Sequence, residues 1–81
     1  MLYKGLKYLN KTANNGCTCT FASPFTEEFE VTFDPDTVTY SQILAWMGGE
    51  YIQDAMPNAS ASIRDMFITG MPEDYYDELQ G

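Results

Sequence analysis

The first third of the chain alternates with a period of two, and the rest with a period near three and a half. Leu2, Lys4, Leu6 and Tyr8 alternate with Tyr3, Gly5, Lys7 and Leu9, which is a weak strand pattern. Asn14-Asn15-Gly16 follows, and Asn-Gly is a hairpin signal because both residues tolerate positive φ. Cys17, Cys19 and Phe21 then alternate with Thr18 and Thr20, which suits a half-buried strand. Ser23-Pro24 breaks it. The clearest strand runs from Glu28 to Phe33, with Phe29, Val31 and Phe33 on one side and Glu28, Glu30 and Thr32 on the other. Antiparallel sheets with one wet face produce this alternation. Asp34-Pro35-Asp36 turns the chain.

The helical part opens at Thr39, an N-cap with Gln42 three residues on to complete a capping box. Val38 and Ile43 stand at the two positions of a hydrophobic staple. Tyr40, Ile43, Leu44, Met47, Tyr51 and Ala55 fall on one helical stripe. Gly48-Gly49 interrupts it at a cost of about 2 kcal/mol relative to alanine, so the helix stops or kinks there, and Pro57 ends it in either case. Ser60 caps a second helix, with Ile63, Met66 and Phe67 inward and Gly70 as its stop. Pro72 starts a last short helix, with Glu73 and Asp74 in its first turn and Tyr75, Tyr76 and Leu79 as its buried face. The expected fold is α+β. A three-stranded antiparallel sheet over about residues 2–33 precedes two to four short helices packed on one face, all in a single domain over residues 1–81.

Composition supports a folded chain. Of its 81 residues 44% are hydrophobic and 15% aromatic, far more rings than a disordered acidic segment carries. The net charge of −8 is unevenly spread. Lys4, Lys7 and Lys11 give the first eleven residues +3, while twelve carboxylates against Arg64 alone leave the rest at −11. Such a surface repels nucleic acid and anionic membrane and favours a basic protein partner. No segment approaches the roughly 20 apolar residues of a membrane span, and the N-terminus lacks the apolar run of a signal peptide. The expectation is a cytoplasmic protein.

The absences narrow the chemistry. There is no histidine, which removes the usual general base, the Ser-His and Cys-His pairs and the commonest metal ligand. Gly48-Gly49 lacks the spacing and the Lys-Ser/Thr of a phosphate loop. Cys17 and Cys19 supply half of a tetrahedral zinc site. On a strand they stand about 7 Å apart along the chain, too far for an unstrained disulfide, and read as small core residues. Asp34-Pro35-Asp36-Thr37 lacks the glycine and distal glutamate of a calcium loop. The expectation is no enzyme, no metal and no cofactor.

The surface itself remains. Glu27, Glu28, Glu30, Asp34 and Asp36 cluster around the third strand and its turn. Glu73, Asp74, Asp77 and Glu78 crowd the final helix beside Tyr75 and Tyr76. A carboxylate array with aromatic anchors can mimic a nucleic-acid strand. A domain of this size spans roughly 30 Å, and duplex DNA carries about 18 charges in that length. Eleven net charges approach that density only if gathered on one face; spread over the whole surface they read as ordinary solubility charge.

Tyr51-Ile52-Gln53-Asp54-Ala55-Met56-Pro57, then Ser60 to Arg64, then Phe67-Ile68-Thr69-Gly70 resembles the tail of small proteins from phages and mobile elements of gut bacteria. Those often read Ile-Gln-x-Ala-Met/Phe-Pro, a helix-capping Ser, an Arg, and Ile-Ser/Thr-Gly. The likeness covers about a third of the chain, in capping and core positions. Family members often continue with Cys-x-x-Cys-Trp. Met71-Pro72-Glu73-Asp74-Tyr75-Tyr76 stands here instead, so no metal role carries over. The resemblance implies a mobile-element origin, and small acidic phage proteins are frequently inhibitors of host defence, anti-CRISPR proteins among them. The leading expectation is a non-enzymatic inhibitor docking Glu28, Glu30, Asp34, Asp36 and the segment from Glu73 to Glu78 on the basic channel of a host protein or ribonucleoprotein. The alternative is a small structural or adaptor protein that homo-oligomerises through apolar surface.

Overall fold

The computed structural model describes residues 2–24 and 26–72. Within them the fold is α+β. Strands β1 (Leu6–Lys11), β2 (Cys17–Ser23) and β3 (Thr26–Phe33) form an antiparallel meander in the order β1-β2-β3. Helices α1 (Tyr40–Met47), α2 (Ile52–Ala55) and α3 (Ala61–Thr69) follow. The expected last helix over Pro72 to Leu79 lies outside the described residues but for its first residue.

The meander puts its apolar set on one face. Cys17 pairs with Phe33, Cys19 with Val31 and Phe21 with Phe29. On the other side Leu9 pairs with Cys19 and Leu6 with Phe21. The first strand departs from the expected alternation. Leu6 is opposite Phe21 but Tyr8 is opposite Thr20, so Lys7 is an inserted residue. This bulge reverses the pleat. Leu6 is buried, while Tyr8, its expected companion, is exposed. Residues 2–5 are not strand. They form a hook in which Leu2 and Tyr3 donate to the Leu6 carbonyl (3.0 Å each) and Leu6 donates back to Tyr3 (2.8 Å).

The hairpin tip also differs in detail. Asn14 and Asn15 take the positive φ values, 58° and 65°. Gly16 is extended, and a Cβ there would meet Thr12 Oγ1 at 2.6 Å. The second hairpin carries a further irregularity. Phe21 pairs with Phe29 but Ser23 with Thr26, so β3 holds one extra residue over Glu27 and Glu28, and both are exposed.

The helix signals act as read. Gln42 N–H donates to Thr39 Oγ1 and Thr39 N–H donates to Gln42 Oε1, both at 3.0 Å, which completes the capping box. Ile63 N–H donates to Ser60 Oγ at 3.2 Å. The helix stops at Gly48-Gly49, with Gly49 at φ 117°. The expected stripe holds only in part. Ile43 and Trp46 are the buried residues of α1, whereas Leu44 and Tyr51 are exposed. Once the helix breaks after Met47, Tyr51 no longer shares its phase.

The core lies between the sheet face and the helices. Its centre is the Phe67 ring, 5.0 Å from Phe21 and 5.5 Å from Trp46 edge to face, and stacked 5.6 Å from Phe33. Tyr3 extends the cluster onto Trp46 at 4.7 Å. Quadrupole geometry favours such offset and edge contacts over sandwiches.

Candidate interaction surface

The expected acidic residues divide between what is described and what is not. Glu28 and Glu30 lie on the open side of edge strand β3, and Asp34 and Asp36 in the turn that follows; all four are exposed. The turn is held by the Asp34 carbonyl, which accepts from Thr37 (2.9 Å) and Val38 (3.1 Å). The Asp36 carbonyl accepts from Asn58 Nδ2 at 3.2 Å, which ties the turn to the segment before α3. With Glu27, these are five carboxylates on one strand and its turn. Glu73, Asp74, Tyr75, Tyr76, Asp77 and Glu78 lie outside the described residues.

One member of this acidic edge is partly neutralised. Lys7 Nζ, raised by the bulge in β1, donates to Glu28 Oε2 at 2.5 Å across the open sheet face. That hydrogen bond, and then the charge of Glu28, hold the Lys7 ammonium above the ordinary lysine range. The cationic N-terminal segment is dispersed on tyrosine faces: Lys4 lies over Tyr3, Lys7 over Tyr8 and Lys11 over Tyr40, at 5.4–5.8 Å from the ring centroids. Between the two edges the open face is polar. Thr18 and Thr32 share a hydroxyl hydrogen bond of 2.9 Å, and Thr20 is buried beside them.

The cysteines occupy the core side of β2. Both are fully buried, their sulfurs 3.9 Å apart, and Cys17 Sγ lies 3.9 Å from the Val38 carbonyl. The hydrogen bond to Cys17, and then burial, push the Cys19 thiol well above its ordinary range. The same hydrogen bond lowers the Cys17 thiol, against its burial; the protonated, buried Cys19 is neither nucleophile nor ligand. Among the described residues no three of Asp, Glu, Cys or His gather to hold a metal ion. No helix among them is long and apolar enough to cross a membrane.

A second feature was invisible in the sequence. A groove of about 340 Å³ opens between the N-terminal hook and the break after α1. Tyr3, Trp46, Tyr51 and Ile68 give it apolar walls, and Lys4 and Glu50 bring one charge of each sign. The lining comes from four separated segments, so no local motif announces it. The exposure of Tyr51 was masked by its false place on the helical stripe.

Neither protein-family models, nor curated proteins, nor solved structures give a match to this chain. The functional reading therefore rests on the geometry of its own surface.

Proposed function

We propose that this protein is a non-enzymatic binding protein whose acidic edge, β3 and the turn after it, docks on the basic nucleic-acid channel of a DNA- or RNA-handling complex. The observation that supports this is the run Glu27, Glu28, Glu30, Asp34 and Asp36, five exposed carboxylates within ten residues, with Lys7 as the one cation paired to it among the described residues. A strand rises about 3.3 Å per residue, so Glu28 and Glu30 stand about 6.6 Å apart. One strand of nucleic acid carries a phosphate about every 3.4 Å, and a duplex carries twice that density. The edge thus resembles a sparse single strand more than a duplex. A phage-encoded anti-defence protein of the anti-CRISPR type is the form of this reading that the C-terminal resemblance suggests, with a host ribonucleoprotein as partner.

The experiment is a binding titration against purified nucleic-acid complexes, CRISPR effector ribonucleoproteins first. Triple reversal at Glu27, Glu30 and Asp34 to lysine is expected to abolish binding. Retention of full affinity by that folded variant rejects the acidic edge as the docking face.

A further inference from the structure

The groove beside the N-terminal hook has the anatomy of an anchor pocket. Trp46 is its floor, 3% exposed and packed edge-on between Tyr3 and Phe67. Its rim is the opposite: Tyr51 is 76% exposed and Ile68 43%. Single exposed apolar residues are ordinary on a protein surface. Two on the rim of one concavity, over a buried tryptophan, are the arrangement of an interaction site. The volume, about 340 Å³, is at the small end of binding pockets and suits one large side chain.

The two charges are placed rather than scattered. Lys4 sits at the tip of the hook with φ 49°, a conformation that costs a non-glycine residue about 1 kcal/mol or more. The hook is fixed from both sides. Gly5 N–H donates to the Phe67 carbonyl at 2.9 Å, and Ala22 N–H donates to the Gly5 carbonyl at 3.1 Å. Lys4 makes no ion pair among the described residues, and its ammonium lies over the Tyr3 ring that walls the groove. Glu50 is likewise exposed and outside any described ion pair.

We propose that this groove binds a partner polypeptide through one aromatic side chain, seated on Trp46 between Tyr3 and Tyr51, whose neighbours in the partner are an acidic residue facing Lys4 and a basic residue facing Glu50. The mixed pair of charges selects this occupant. A purely acidic or purely basic segment gains one attraction and meets one repulsion. The site is separate from the acidic edge of β3 and does not depend on it.

The chain's single tryptophan is the reporter. Trp46 fluorescence is titrated with the probe acetyl-Glu-Phe-Lys-amide, and a saturable change with Kd on the order of 1 mM is expected for so small a ligand. Acetyl-Glu-Ala-Lys-amide is expected to give no saturable change. Acetyl-Gln-Phe-Lys-amide and acetyl-Glu-Phe-Gln-amide should each bind several-fold more weakly than the probe. Lys4→Ala should erase the first difference and leave the second; Glu50→Gln should do the reverse. Both substitutions are at exposed positions, and near-ultraviolet circular dichroism checks the fold of each variant. No saturation by the probe overturns the proposal, as does equal binding of the alanine peptide or charge differences indifferent to both variants. Light scattering that finds a dimer whose dissociation the probe requires also overturns it, because the occupant is then a second copy. Reversal at Glu27, Glu30 and Asp34 should leave this titration unchanged, so failure of the acidic-edge reading and failure of this one are distinguishable.

Discussion

Gly5 and Gly70 meet backbone to backbone, and this contact locks the end of α3 onto the start of the sheet. A Cβ on Gly5 would overlap the Gly70 nitrogen and lie 2.7 Å from its Cα. A Cβ on Gly70 would overlap the Ala22 carbonyl oxygen, and Gly70 also sits at φ 78°. One crossing thus joins the hook, the central strand and the last described helix. Gly70→Ala should therefore combine left-handed strain of about 1–2 kcal/mol with an overlap that backbone must absorb, about 3 kcal/mol or more together. Gly49→Ala, where a Cβ meets nothing within 4 Å, should cost only the strain. Urea unfolding of the two variants checks the difference, and equal losses would contradict it.

Phe67 is the ring that the other core rings share. Phe67→Ala should cost about 3–5 kcal/mol, a large share of the stability of a domain of this size. A urea midpoint far below the parent's, with weakened near-ultraviolet dichroism, is the expected result. Tyr8→Ala, on the open sheet face, should stay within about 0.5 kcal/mol of the parent.

The capping box gives a third test. Thr39→Ala removes the acceptor for the Gln42 N–H and should cost about 1 kcal/mol by chemical denaturation.

Cys19 supplies the pH dependence. Its folded pKa is raised, so the native state keeps a proton that the unfolded thiol releases above about 8.5. Stability from this group is complete below that pH and falls as pH rises beyond it. Unfolding free energies between pH 8 and 10 should decline with a slope that the double variant Cys17→Ala, Cys19→Ala reduces, because the hydrogen bond that raises Cys19 lowers Cys17. Aromatic disulfide reagents should label neither thiol until the chain unfolds.

How much of this was legible follows from where each signal resides. Thr39 with Gln42, Ser60, Gly70 and the alternation of Phe29, Val31 and Phe33 are local, and each acts as read. The phase of the first strand was not legible, because the Lys7 bulge reverses the pleat between Leu6 and Tyr8 and no residue type marks it. The stripe failed at Tyr51 for a related reason: a periodicity continues on paper through a break that ends it in space. Leu44, before the break, is exposed because the buried face of α1 is centred on Ile43 and Trp46 instead. The acidic edge could be read from β3 and the turn after it, since its five residues fall within ten positions of the chain. The groove could not, because Tyr3, Trp46, Tyr51 and Ile68 converge only through the tertiary fold. The sulfur separation of 3.9 Å likewise depends on side-chain direction, which the spacing of the two residues along the strand does not specify.

If the acidic edge docks where nucleic acid would, the two compete for one channel. A complex of this protein with a purified CRISPR effector ribonucleoprotein is challenged with that effector's target DNA, in single- and double-stranded form, at 50 and 300 mM salt. The single strand should displace the protein, more readily than the duplex, and the higher salt should weaken the complex about tenfold or more. Binding that neither DNA nor salt disturbs would contradict that docking.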